Sequence, residues 1–345
     1  MMILTEGQLG IFTAKTATCL VRYCPDEVVC VLDSVAAQSD RPLDSFISVG
    51  AHIPIVSSVE EGLKFSPNQL VIGIAPVGGK LPEAWRAIVL DSIRAGLDIV
   101  NGLHHILGDD PEFAAAAKAC DVRIQDVRVA PPDLGVAQDL LRGLKQRRVS
   151  IVGSDCSVGK MLTALELSKA LRARGWDSDW AATGQTGIMI QGSGIAVDHV
   201  LSDYVNGAAE RLCYERRERE ILVIEGQGSV YHPAYSGVTV GLLHGAMPHA
   251  MVFVHQPSRT KIWHYGDFPL PSVAQGIALC EALMAPIHPA KVAAIAVNTV
   301  DLDAAQADKA IDDIERETGL PVCDPIRNGS AKLAIAVEAA LKIQK

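Results

Sequence analysis

Ser150-Ile151-Val152-Gly153-Ser154-Asp155-Cys156-Ser157-Val158-Gly159-Lys160-Met161-Leu162-Thr163 passes from a β-rich stretch into a helix-forming one through a tight loop ending in Gly-Lys. Strand, small-residue loop and helix start in that order make a cradle for phosphate. Small side chains let backbone N–H groups converge on the oxygens, the helix N-terminus adds positive potential, and the lysine supplies a full charge. One position departs from the pattern of nucleotide hydrolases. Directly after the lysine those proteins carry the Ser or Thr hydroxyl that ligates Mg²⁺, and this chain has Met161. The stretch therefore predicts an anion grip built from Gly153, Ser154, Asp155, Cys156, Ser157, Val158, Gly159, Lys160, Met161 and Leu162, lacking the usual metal hydroxyl.

Outward from the loop, short β-branched runs alternate with helical patterns, the sequence form of βαβ units and a mainly parallel sheet. Downstream the pattern predicts helix 160–174, a strand at 179–182, a Gly-rich segment at 183–187, helix 203–219 and strands 221–225 and 250–255. Helix 272–284, strand 292–298, helix 304–318, strand 320–323 and a final helix complete that half. Upstream it predicts strands at 28–32, 47–49, 53–56, 70–75, 98–100 and 122–129, with helices at 83–95 and 111–119. Asp109 or Asp110 caps the second of these helices, with Pro111 at its first position. The upstream half reads as a Rossmann-type layer. No clean G-x-G-x-x-G follows its first strand, so no dinucleotide is assigned to it, and Gly78-Gly79-Lys80 is its nearest approach to an anion-binding turn. Ala130-Pro131-Pro132-Asp133 and the basic Lys145-Gln146-Arg147-Arg148 read as a connection plus a bridging helix, which places the domain boundary between 130 and 148. The expected architecture is α/β: an N-terminal Rossmann-like domain over 1–138 and a C-terminal P-loop NTPase-like domain, with a mainly parallel sheet, over 139–345.

A length of 345 residues suits two domains of ordinary size, and 49% hydrophobic with 21% charged residues is a globular composition. The net charge is −9 with no long run of Lys and Arg, so the footprint of a nucleic-acid-coating protein is absent and small-molecule substrates are expected. No secretory leader and no stretch of about 18 apolar residues is found, which points to the cytoplasm and away from a membrane. Eight cysteines form no C-x-x-C pair, which argues against a zinc site and a disulfide framework. Cys156, inside the loop, reads as a compact packing residue.

The strongest chemical signal after the loop is Ile221-Leu222-Val223-Ile224-Glu225-Gly226-Gln227-Gly228-Ser229, an apolar strand ending in an acid and then glycines. An acid at the end of the strand beside a phosphate loop can hold a metal-bound water or accept a proton; it can also merely cap an edge. Thr183-Gly184-Gln185-Thr186-Gly187 with Gln191-Gly192-Ser193-Gly194 is either a ligand-approaching surface with Gln185 as donor or a flexible connection. His232, His244, His255 and His264 match no metal-ligand spacing, so no metal is assigned to them. Arg259, just past a buried strand, stands where an α/β sheet keeps its ligand and offers a fork for a carboxylate, with Lys261 beside it. Asn298, Thr299 and Asp301 close another strand, as base contacts or as a turn.

The spacing of the loop is G-x-D-x-x-V-G-K, with Ser154 where the common pattern has Gly. This variant resembles the loop of dethiobiotin synthetase, whose strand ending Glu-Gly-Ala-Gly-Gly is similar to Glu225-Gly226-Gln227-Gly228-Ser229. Taken with the Gly184-Gln185-Thr186-Gly187 segment and the Rossmann-like half, the loop resembles, over nearly the full chain, a family of two-domain P-loop proteins. That family includes D-glutamate N-acetyltransferase, and its members are similar in carrying Met after the loop lysine. The resemblance implies acetyl transfer from acetyl-CoA to the amino group of D-glutamate or a related D-amino acid, and a homo-oligomer is expected. Coenzyme A carries a pyrophosphate and a 3′-phosphate, so the nest and Lys160 can hold it without splitting a phosphoanhydride. In that chemistry Glu225 takes the amine proton, Gln227 or the 226–229 amides face the oxyanion, and Arg259 and Lys261 receive the two carboxylates. The alternative, by analogy with dethiobiotin synthetase, is an ATP- and Mg²⁺-dependent ligase or kinase. It requires Thr163, Asp155 and Glu225 to assemble the ion site, although Thr163 lies about 200° around the helix from the usual hydroxyl.

Overall fold

The computed structural model describes residues 1–11, 13–76 and 78–344. The chain forms two compact units, one comprising 1–129 with 185–199 and the other 130–184 with 200–345.

The first unit carries six strands: β1 (Met2–Leu4), β2 (Cys30–Leu32), β3 (Ile55–Val56), β4 (Gln69–Ile72), β5 (Asp98–Asn101) and β6 (Ile124–Asp126). They pair in parallel in the order β3-β2-β1-β4-β5-β6, the Rossmann order. The central strand β1 is made of Met2, Ile3 and Leu4, all fully buried, as a strand covered on both faces requires. The run at 47–49, expected as a strand, is not one. Asp44–Ile47 is helical and Ser48 adopts a left-handed φ of 60°, because a single turn followed by an αL cap satisfies the chain locally. Asp110 does cap the helix Pro111–Cys120, its side chain accepting from the amides of Glu112 (3.0 Å) and Phe113 (3.3 Å). Gly78 and Gly79 turn with φ of 83° and 61°, and a Cβ on Gly79 would lie 2.5 Å from the His104 ring.

The second unit holds β7 (Arg147–Gly153), β8 (Ser178–Ala181), β9 (Ile221–Ile224), β10 (Ala250–His255), β11 (Lys291–Val297) and β12 (Val322–Cys323). Their order is β12-β11-β10-β7-β9-β8, again parallel, so the strand entering the phosphate loop lies between β9 and β10. Segment 130–146 carries no helix among the described residues, contrary to the bridging helix expected there. Buried Glu210 on the helix Val205–Glu215 accepts from the amides of Gln138 (2.6 Å) and Leu140 (2.8 Å), and those bonds hold the segment non-helical. The helix Ser236–Ala246 was not foreseen, since Gly237, Gly241 and Gly245 weigh against helix. Packing overrides propensity there. A Cβ on Gly245 would lie 2.2 Å from the Asn206 carbonyl, and one on Gly241 would lie 2.5 Å from Val205 Cγ1, so the glycine face lets the two helices touch.

Two histidines couple this fold to pH. The amide of Arg148 donates to His249 Nδ1 at 3.1 Å, and burial, reinforced by Arg148 and the His288 ring, pushes His249 down to about 3. His255 shares a 2.9 Å hydrogen bond with Ser154 Oγ, and burial followed by the Arg259 charge pushes it down to about 4. Both rings take up protons near 6.5 when unfolded and only far lower when folded, so the unfolded chain binds more protons as pH falls below 6.5. Stability is therefore full above that value and is lost as pH drops toward 4. Denaturant unfolding at pH 7.5 and pH 5 should differ by on the order of 3 kcal/mol from these two groups, and a flat profile over that window would contradict the burial argument.

Candidate anion site at the carboxyl ends of the second sheet

The phosphate loop follows β7 and turns through Ser157 (φ 58°) and Gly159 (φ 110°) into the helix Lys160–Ala173. The first intrahelical bond runs from Thr163 N to the Gly159 carbonyl at 2.9 Å. Among the described residues, the amides of Val158, Gly159, Lys160, Met161 and Leu162 meet no protein acceptor, and the helix has no side-chain cap. Five consecutive donors with the helix dipole behind them form a nest for anionic oxygens. Lys160 is 7% exposed, and its ammonium donates to the Asp155 carbonyl at 2.6 Å. Burial lowers its pKa from the usual lysine range, while the negative potential of Cys156, Asp155 and Glu225 counteracts part of that shift. Glycine is obligatory nearby: a Cβ on Gly153 would stand 2.8 Å from the Val254 carbonyl, and one on Gly226 would stand 1.7 Å from that of Ile151.

Asp155 is fully buried and organises one side of the loop. Its Oδ1 accepts from the Cys156 amide at 2.7 Å, and its Oδ2 accepts from Arg259 at 3.0 Å and from the Trp263 amide at 2.8 Å. The Arg259 fork also donates to the Cys156 carbonyl (2.6 Å) and to Gln256 Oε1 (2.8 Å), so in this state it clamps the loop. Gln256 continues outward to Asp301 (3.1 Å), which also accepts from Ser258 at 2.6 Å. Asn298 packs beside Gly159, its Nδ2 3.9 Å from where a Cβ would be, and its Oδ1 accepts from the Val300 amide.

Glu225 organises the other side. It is 4% exposed, and its Oε2 accepts from the amides of Thr183 (2.8 Å) and Gly184 (3.3 Å), with Gln227 Nε2 donating to Oε1 at 3.3 Å. Thr183 Oγ1 donates to the Glu225 carbonyl at 2.9 Å and accepts from Gln227 at 3.2 Å. A closed ring of hydrogen bonds thus ties the end of β9 to the loop after β8.

Residues 135–334 match the family description "Domain of unknown function (DUF1611_C) P-loop domain", and residues 37–130 match its "Rossmann-like domain" counterpart. The chain belongs to the DUF1611 family. A DUF1611 family protein from Anabaena variabilis, solved by crystallography, is similar with a TM-score of 0.92 at 38% identity, covering 98% of each chain. Two relatives are named D-glutamate N-acetyltransferase. One, from Tritonibacter scottomollicae, is 38% identical over 293 residues, 84% of this chain and 87% of that protein. The other, from a Pseudoalteromonas species, is 37% identical over 273 residues, 79% of this chain and 82% of that protein.

This DUF1611 chain brings Asp155, Lys160, Glu225, Gln227 and Arg259 to the carboxyl ends of one sheet. Gln185 belongs to the first unit, where it opens the helix Gln185–Gln191 and its Cβ and Cγ pack over Gly102. Lys261 is exposed and pairs with Asp267. The donor set fits an ion poorly. Asp155 and Glu225 have both oxygens committed to N–H donors, and Thr163 is buried within the helix. Asp155, Cys156 and His232 bring ligand-capable atoms within 4.8 Å of one another. His232 Nδ1, however, accepts from the Ala234 amide at 3.1 Å, which places the ring proton on Nε2, 3.6 Å from Asp155 Oδ1. A nitrogen carrying its proton has no lone pair for a metal. Sequence reasoning missed the Trp263 anchor, which acts through a backbone amide and leaves no mark in residue identity.

Proposed function

We propose that the chain is an N-acetyltransferase that holds acetyl-CoA by its phosphates in the 158–162 nest and moves the acetyl group to the amino group of D-glutamate or a related D-amino acid. The observation that carries this reading is the row of five amides without acceptors beside Lys160, at a loop with Met161 in place of the metal hydroxyl. Such a site grips phosphate and has no need to cleave it. The names borne by the relatives supply the reaction class and the acceptor.

In this reading Glu225 accepts the amine proton, directly or through a water, and the 226–229 amides face the developing oxyanion. Glu225 lies close enough to Lys160 to help retain the lysine charge. A donor held by its diphosphate must therefore fold its pantetheine arm back toward the 225–229 turn.

Thermal-shift titration with acetyl-CoA, CoA, ATP and ATP with Mg²⁺ tests the reading, because a ligand that binds the folded state alone raises the midpoint. CoA and acetyl-CoA should raise it without Mg²⁺. A rise confined to ATP with Mg²⁺, or inactivity toward a panel of D- and L-amino acids, would favour ligase chemistry instead.

A further inference from the structure

Beyond the phosphate nest lies an aromatic mouth that the acetyl-transfer reading leaves unused. Residues 260–270 double back as a short antiparallel hairpin, Ile262 N donating to the Phe268 carbonyl at 2.9 Å and Leu270 N to that of Thr260 at 3.0 Å. Ile262 is buried and anchors it, yet Trp263, Tyr265 and Phe268 remain 36%, 39% and 50% exposed, and Tyr235 across from them 52%. The rings of Tyr235 and Tyr265 both contact the ring of buried His232, at 4.7 and 5.2 Å between centroids. Exposed aromatic clusters on a soluble chain mark a binding surface.

We propose that Trp263 is the stacking platform for the purine ring of a nucleotide-bearing ligand whose phosphates enter the 158–162 nest. The inference rests on the phosphate-grip reading and extends it to the other end of the ligand. Position carries the first part of the argument. The Trp263 amide is bonded to Asp155, a loop residue, so the indole stands at the edge of the cradle. Chemistry carries the second. The Arg259 guanidinium lies 5.9 Å from the indole centroid and the His264 ring 4.1 Å from it, with Lys160 in the adjoining nest. An aromatic face flanked by a guanidinium, itself paired with Asp155, and adjoining the nest suits a base joined to phosphates better than an apolar partner surface.

The test compares coenzyme A with 4′-phosphopantetheine, which keeps one phosphate and lacks the adenosine with its 5′- and 3′-phosphates, by isothermal titration of the full chain and of Trp263→Leu and Trp263→Phe. Leu keeps apolar bulk without a π-face, and neither change touches the backbone anchor, so the ligand-free midpoint should hold. Trp263→Leu should weaken CoA by about tenfold, with 4′-phosphopantetheine within about twofold of wild type and Phe restoring most of the loss. Equal loss for both ligands, or none for either, overturns the proposal. So does a change in sedimentation with CoA affinity intact, which would make the mouth an interface between copies. Should the wild-type chain bind neither ligand, the phosphate-grip reading fails and this inference with it; wild-type binding unaltered in Trp263→Leu overturns this inference alone.

Discussion

Lys160→Met should abolish the stabilisation of the protein by CoA and acetyl-CoA while leaving the ligand-free midpoint unchanged or higher. The two halves of that result come from one fact, the burial of the ammonium. A charge-assisted bond to phosphate in such a place contributes about 1.5–3 kcal/mol, so affinity should fall roughly tenfold to a hundredfold or more. Without ligand the same cation is costly to the fold. Its pKa is lowered by folding, so at neutral pH the native state holds a proton it would release more readily than the unfolded chain does, and an uncharged Met of similar length relieves that strain. Calorimetric titration with CoA and a thermal scan of the apo variant check both parts. Undiminished CoA affinity in Lys160→Met would remove the nest from the mechanism.

The second large effect concerns Glu225→Gln. If Glu225 takes the proton from the attacking amine, turnover should fall by about 10²–10⁴, with CoA affinity nearly unchanged because the nest is untouched. The substitution also introduces one mismatch, since the one acceptor oxygen of an amide cannot serve both the 183–184 amides and Gln227, and its NH₂ only donates. A stability cost of about 1 kcal/mol should accompany it. Steady-state rates of D-glutamate acetylation, with far-UV circular dichroism as the folding control, separate the two effects. Normal turnover would leave Glu225 as an organiser of the Thr183 loop only.

The phosphate loop was legible because every physical requirement of a cradle falls on consecutive residues: small side chains, a glycine at φ 110°, a lysine and a helix start. Glu225 was legible for a similar reason, an apolar β-run ending abruptly in an acid. What escaped the sequence depends on residues distant along the chain. Three apolar residues at the N-terminus form β1 because Cys30–Leu32 and Gln69–Ile72 pair on either side of it, and so short a run carries no periodicity of its own. Segment 236–246 is a helix because a neighbouring helix demands its glycines. Arg259 is legible as a fork for a carboxylate, but the partner it holds in this state, Asp155, lies about a hundred residues away and leaves no mark in the local sequence.

The excursion of residues 185–199 into the first unit bears on how this protein can be inherited and dismantled. A gene fragment beginning near residue 135 would encode the P-loop half carrying a helix, with Gly187 and Ile188 on its buried side, whose neighbours had been left behind. A cut at the single apparent junction of the sequence would thus sever this helix from the unit it packs in, so the boundary along the chain is not the boundary between the structural units.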